Sequence, residues 1–122
     1  MLKKQPANIL LIDDHEIVLT SLTRIIKFAG YNVHTSLTYQ QAIAALSEYS
    51  FQLIISDIEL GADSGIKLIQ QAKTNQSFIF MSGNSQYQSQ KELENYPFLL
   101  KPFSAPTLLH AIERSLPRIQ GI

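Results

Sequence analysis

The sequence predicts an α/β domain built on a doubly wound, five-stranded parallel sheet, and three observations predict it. Short apolar runs alternate with segments of helical periodicity, five of each along the chain. The runs Ile9 to Ile12, Phe51 to Ser56 and Phe78 to Met81 are nearly continuous in hydrophobicity, as strands buried on both faces are. A length of 122 residues holds one such domain and leaves no room for a second. Parallel neighbours need crossover connections of fixed hand, so helices are expected on both faces of the sheet.

The elements follow in order. Ile9 to Ile12 is the first strand; Val18, Leu22, Ile25, Ile26 and Ala29 then fall at helical spacing, and Gly30 ends that helix in the left-handed conformation. Tyr31 to Thr35 is the second strand. Thr38 is the expected N-cap of a helix striped by Tyr39, Ala42, Ile43, Leu46 and Tyr49. Phe51 to Ser56 is the third strand, cut off by Asp57. A loop from Gly61 to Gly65 leads into a helix burying Ile66, Ile69 and Ala72. Phe78 to Met81 is the fourth strand, with Ser82, Gly83 and Asn84 as its turn. Gln86 to Asn95 reads as a helix with only Tyr87 and Leu93 to bury, so its packing should be thin. Phe98 to Leu100 is the fifth strand; Leu108, Leu109, Ile112 and Leu116 stripe a last helix that Pro117 ends. The expected organisation is a flexible N-terminus over 1–7, the domain over 8–116, and a C-terminal tail or linker stump over 117–122.

Composition removes several function classes. With no cysteine, disulfide frameworks, thiolate metal sites and cysteine nucleophiles are excluded, and a reducing cytoplasm is the expected location. Ten basic residues balance ten acidic ones, so no net field draws the chain to nucleic acid or to an anionic membrane. The first apolar run ends after four residues in two aspartates, too short for a signal peptide or a membrane span.

In a sheet of this kind ligands bind beyond the carboxyl ends of the strands, which is where the chemistry should lie. Asp13 and Asp14 end the first strand, Asp57 the third, Ser82 the fourth and Lys101 the fifth. Taken singly, each has a bland reading: Asp14 as a helix cap, Ser82-Gly83-Asn84 as a turn, Lys101-Pro102 as another turn. Taken together they converge on one edge. Three crowded carboxylates call for a cation, and Mg2+ is a hard ion that takes one or two carboxylates and keeps places for phosphate oxygens. A serine hydroxyl and a lysine point charge complete a constellation suited to a phosphoryl group, with an aspartate able to act as nucleophile. His15, beside the carboxylates, reads as a solvated surface imidazole; His34 and His110 read as structural or exposed.

These residues closely resemble the receiver domain of two-component response regulators, from about Asn8 to Leu116. Ile9-Leu10-Leu11-Ile12-Asp13-Asp14 followed by His15-Glu16 is similar to the family's first-strand motif. Asp57 stands where the family has its phosphoacceptor, Gly65 eight positions on opens the third helix, and Ser82 with the small Gly83 matches the Ser/Thr that contacts the phosphoryl group. Lys101-Pro102-Phe103 resembles the Lys-Pro-Phe signature, commonly with a cis bond before the proline. Phe98 matches the aromatic switch position.

The resemblance implies a flavodoxin-like strand order 2-1-3-4-5. It implies that Asp57 receives phosphate from a histidine kinase or histidine phosphotransfer protein, with Lys101 and Ser82 assisting. It implies Mg2+ held by Asp14, Asp57 and the backbone carbonyl of Glu59, with Asp13 acting mostly through water. Ser82 would then move toward the phosphoryl oxygen and Phe98 rotate into the space it leaves, a bistable element biased by a local charge. A downstream effector protein or an effector domain elsewhere would read the state, with a phosphorylation-dependent dimer as one form of output. Three departures stand out. Gly61 replaces a frequent proline, which implies a more mobile loop; Ser82 and Lys101 lie only 19 positions apart with Asn95-Tyr96-Pro97 in place of a Gly-Ala element, so the fourth helix should be short or irregular; and Phe98 lacks the hydroxyl of a tyrosine, so it should favour a buried position more strongly.

The alternatives are a degenerate receiver that binds a partner without phosphorylation and, in the enzyme class, a magnesium-dependent aspartyl phosphatase. Phosphatases of the haloacid-dehalogenase type usually carry Asp-x-Asp after the first strand; here Asp57-Ile58-Glu59 follows the third. Without a basic face or a helix-turn-helix segment, direct binding of nucleic acid is not expected.

Overall fold

The fold is seen in a computed structural model that describes residues 6–116. The expected tail over 117–122, the role given to Pro117 and all but the last two residues of the expected N-terminus 1–7 lie outside the described residues. Five parallel strands form the main sheet: β1 (Asn8–Ile12), β2 (Asn32–Ser36), β3 (Leu53–Asp57), β6 (Ser77–Ser82) and β7 (Phe98–Leu100), in the order β2-β1-β3-β6-β7. This is the doubly wound, flavodoxin-like order 2-1-3-4-5 once a small hairpin is set aside. That hairpin pairs β4 (Glu59–Leu60) with β5 (Asp63–Ser64).

Alternation along the buried strands sorts the core into two clusters. Ile9, Leu11, Leu53, Ile55, Ile79 and Met81 point to the face covered by α1 (Glu16–Phe28) and α3 (Ala105–Ser115). Leu10, Ile12, Ile54, Phe78 and Phe80 point to the other, covered by α2 (Tyr39–Glu48) and three 3-10 helices, Gly65–Gln71, Ser85–Ser89 and Lys91–Leu93. Register places β1 and β3 side by side with Ile12 opposite Ser56, and β3 beside β6 with Asp57 opposite Met81. Asp13, Asp57 and Ser82 therefore reach the same end of the sheet. Thr38 caps α2 by accepting the Gln41 N–H, and Gly30 follows α1 with φ at +102°, both as the sequence indicates.

Elsewhere the structure corrects the sequence. There are three α-helices among the described residues, not five. The segment after Gly65 is a 3-10 helix that buries Leu68, while Ile66 and Ile69 are half-buried and Ala72 is exposed. With three residues per turn, Gly65 and Leu68 stack on one line and face the sheet. Gln86 to Asn95 is broken into two 3-10 pieces with Leu93 the one buried residue, because so polar a stretch has too little apolar surface to hold a regular helix. The expected loop Gly61 to Gly65 contains half of the hairpin: Gly61 at φ +62° takes the first turn position, the pattern of a two-residue II′ turn. In the first helix Leu19 is buried and Ala29 exposed, and the third strand runs through Asp57 instead of stopping before it. Among the described residues no helix is long and apolar enough to cross a membrane.

Candidate functional site

Asp57 is the last residue of β3 and is almost fully buried, 4 % exposed. Its carboxylate is held at both oxygens. Oδ2 accepts from Lys101 Nζ at 2.9 Å, and Oδ1 accepts from the Glu59 backbone N–H at 3.0 Å. Asp13, directly after β1 and fully buried, accepts from the same ammonium through Oδ2 at 2.5 Å and from the His15 N–H through Oδ1 at 2.9 Å. Lys101 thus spans from beyond β7 to carboxylates on β3 and beyond β1. The peptide bond from Lys101 to Pro102 is cis, as the motif suggests.

Burial pushes the Asp57 carboxyl above its ordinary range; the hydrogen bonds from Lys101 and Glu59 oppose this without cancelling it, and the Asp13 charge adds to the rise. Burial acts the other way on Lys101, but hydrogen bonds to Asp13 and Asp57 outweigh it and hold its ammonium above the usual lysine value. The rise at Asp57 is thus chiefly a consequence of its burial.

The loop after Asp57 is fixed from beneath. Gly65 N donates to Ile58 O at 2.8 Å and Ser56 Oγ to Asp57 O at 2.8 Å. A Cβ on Gly65 would lie 2.2 Å from the Asp57 carbonyl oxygen, so glycine is required here for closeness, not for an unusual φ. In the hairpin Leu60 and Asp63 flank the turn and Ile58 bonds to Gly65, which leaves Glu59 at a non-hydrogen-bonded position with its carbonyl turned away from Ser64.

Not every expected residue joins the cluster in the same way. Asp14 is a third exposed and pairs with His15, not with Lys101. Ser82 is fully buried, and its hydroxyl oxygen accepts the Asn84 N–H at 3.0 Å; it does not bond to Asp57. Phe98 is half-buried and packs with Tyr96 against the aromatic face. His15, expected as a solvated imidazole, is 68 % exposed, yet its Nδ1 sits 3.0 Å from both Asp13 Oδ1 and Asp14 Oδ1. One carboxylate oxygen each from Asp13, Asp14 and Asp57 and one ring nitrogen of His15 all lie within 4.8 Å of one another. His34 and His110 stay outside the site and are exposed.

Residues 9–113 match the family described as the response regulator receiver domain. The chain belongs to that family. Among curated relatives of this receiver, the two-component response regulator PprB of Pseudomonas aeruginosa is 32 % identical over 117 residues, a match covering 88 % of this chain and 42 % of PprB. The chain therefore spans less than half the length of that relative. Among solved structures, a response regulator receiver domain protein (CheY-like) from Methanospirillum hungatei superposes with TM-score 0.83 at 25 % identity, covering 90 % of this chain and 93 % of that one. The response regulator protein TrrA from Thermotoga maritima, solved in complex with Mg2+ and a beryllium fluoride, gives TM-score 0.83 at 23 % identity, covering 90 % and 99 %. These likenesses place the chain among receiver domains of two-component systems, with an acidic pocket at the strand ends.

Proposed function

We propose that the receiver domain, residues 8–116, is a phosphoacceptor switch in which Asp57 takes a phosphoryl group from a phosphohistidine of a histidine kinase or histidine phosphotransfer protein. The observation that carries this reading is Lys101 Nζ lying between the buried carboxylates of Asp13 and Asp57, at 2.5 and 2.9 Å. An Asp57 oxygen attacks phosphorus, the P–N bond breaks as the P–O bond forms, and the electron pair leaves with the imidazole nitrogen, giving an acyl phosphate. Lys101 holds the carboxylate in place and then pairs with the new phosphoryl charge.

The donor set fits a divalent cation. Asp57, Asp14 and the Glu59 carbonyl that the hairpin leaves free would hold it, while Asp13, already engaged by Lys101 and His15, would act through water. Mg2+ bound there supplies neutralisation of the carboxylates and of the phosphoryl oxygens. Ser82 would give up the Asn84 contact to donate to a phosphoryl oxygen, and Phe98 would turn inward behind it. The chain acts as a phosphoacceptor with self-catalysed transfer and hydrolysis, not as an enzyme turning over a separate substrate. A cytoplasmic location, and a downstream effector protein or effector domain as reader, go with this role; a dimer formed on phosphorylation is one output the switch could drive, and direct contact with nucleic acid is not part of it.

Incubation with a small phosphodonor and Mg2+ should add one phosphoryl group, seen by intact mass, and Asp57→Asn should abolish it. An acyl phosphate persisting in that variant would overturn the assignment. A phosphorylation-independent binding module would instead show no Mg2+-dependent spectral change with fluoroberyllate.

A further inference from the structure

We propose that His15 is a nitrogen ligand that tunes this cation site toward borderline divalent metals such as Co2+ and Zn2+ and away from Mg2+, an inference that rests on Asp14 and Asp57 being cation ligands. His15 is the N-cap residue of α1, but its side chain makes no capping bond. The ring folds back over the acidic pair, with Nδ1 at 3.0 Å from one oxygen of each aspartate. These contacts hold a ring nitrogen inside the group formed with Asp13, Asp14 and Asp57, whose ligand atoms lie within 4.8 Å of one another, so a cation entering there meets the imidazole as well as the carboxylates. The 3.0 Å from Nδ1 to Asp14 Oδ1 also suits a coordination shell: cis donors around an octahedral ion with bonds of about 2.1 Å lie roughly 3 Å apart.

The two carboxylates themselves draw the ring inward, through the Nδ1 hydrogen bond with Asp13 Oδ1 and the ion pair with Asp14 Oδ1. The ring is mostly solvent-exposed, and no core residue packs on it. Its backbone is set by the His15 N–H to Asp13 Oδ1 bond at 2.9 Å, so the imidazole hangs from a fixed point at the rim of the pocket. Three carboxylates alone make an all-oxygen site, which suits hard ions. One imidazole in the same shell changes that, since nitrogen donors favour ions late in the first transition row while Mg2+ gains little from them.

The test is calorimetric titration of the whole chain with Mg2+, Co2+ and Zn2+ separately, at one fixed and mildly alkaline pH. Wild type, His15→Ala and Asp14→Asn are compared, and the His15 ring protons are followed by NMR as Co2+ is added. His15→Ala should weaken Co2+ and Zn2+ by at least about tenfold while moving Mg2+ by less than about threefold, and in wild type the His15 ring signals should shift strongly with Co2+. Equal losses for all three metals, or none, would overturn the role of His15. If Asp14→Asn weakens every metal while His15→Ala weakens none, the cation site stands and the histidine inference fails. If wild type binds no metal, both fail together. Circular dichroism checks the fold of His15→Ala, which removes only an exposed ring.

Discussion

The two faces of the sheet are built differently. One is covered by α1 and α3, long regular helices that lay Leu19, Leu22, Ile26, Leu108 and Ile112 on an aliphatic floor. The other has α2 over β2 and β1, but toward β6 and β7 only short 3-10 pieces, and its volume is filled by rings: Phe51, Phe78 and Phe80 buried, with Tyr39, Tyr87, Tyr96 and Phe98 packed against them. Phe78 and Phe80 stack at 5.8 Å, and Tyr96 meets both edge-on at 6.0 and 5.6 Å. The lesson is a division of labour. Where backbone cover is regular, small aliphatic side chains suffice; where it is short, aromatics fill the space a helix would have taken. Ser82 and Phe98, the residues expected to move, both belong to the ring-filled face.

The sharpest way to break this contrast is Phe80→Ala. Removing a fully buried ring under cover that cannot collapse regularly should cost about 3–5 kcal/mol, read from urea unfolding midpoints. A distinctly smaller loss than for Ile79→Ala, its neighbour pointing to the other face, would mean the ring-filled side is the more adaptable one. Gly65→Ala comes next. Its methyl group meets the Asp57 carbonyl at 2.2 Å and should cost about 1–3 kcal/mol by overpacking, with a parallel loss of phosphodonor labelling because the loop under Asp57 is displaced. Thr38→Ala removes the cap of α2 and should cost roughly 1 kcal/mol in the same assay.

The smallest effect has the opposite sign. Asp57 has a folded-state pKa above its ordinary 3.8, so below 3.8 it is protonated folded or unfolded and contributes nothing. As pH rises from there through the raised folded value, the native state holds a proton that the unfolded chain has released, and stability falls. Without metal at neutral pH, Asp57→Asn should therefore melt at a higher temperature than wild type, and the gap should close as pH drops toward 3.8. A variant that melts lower at neutral pH would show that the bond to Lys101 outweighs burial. Lys101 contributes in the other direction: its stabilisation is present below the usual lysine value and is lost as pH climbs through its raised one.

The five strands, the two-faced core and the convergence of Asp13, Asp57, Ser82 and Lys101 were legible because continuous apolar runs and strand-end polar residues are strong signals; the order of the strands in the sheet was implied by the family resemblance alone. What was not legible is instructive. Ile66, Ile69 and Ala72 repeat every three residues, the 3-10 period, but over seven residues that pattern is hard to tell from an α-helical one, so Leu68 went unnoticed. The hairpin at Glu59–Leu60 and Asp63–Ser64 is too short for any periodicity, though Gly61 at its turn was a usable signal. The position of His15 was hidden for another reason: adjacency in sequence does not say which way a ring turns, and only the start of α1 decides it.

Lys101 reaches its two carboxylate partners across sequence separations of 88 and 44 residues. Those two bonds close loops that take in most of the domain. A chain emerging from the ribosome with β1 and β3 already paired would carry Asp13 and Asp57 side by side with no cation between them. The pocket cannot acquire its ammonium until β7 is laid against β6 and the chain has passed residue 101. The same lysine that serves the site is thus a mark of completion: no partly made copy can present the assembled pocket.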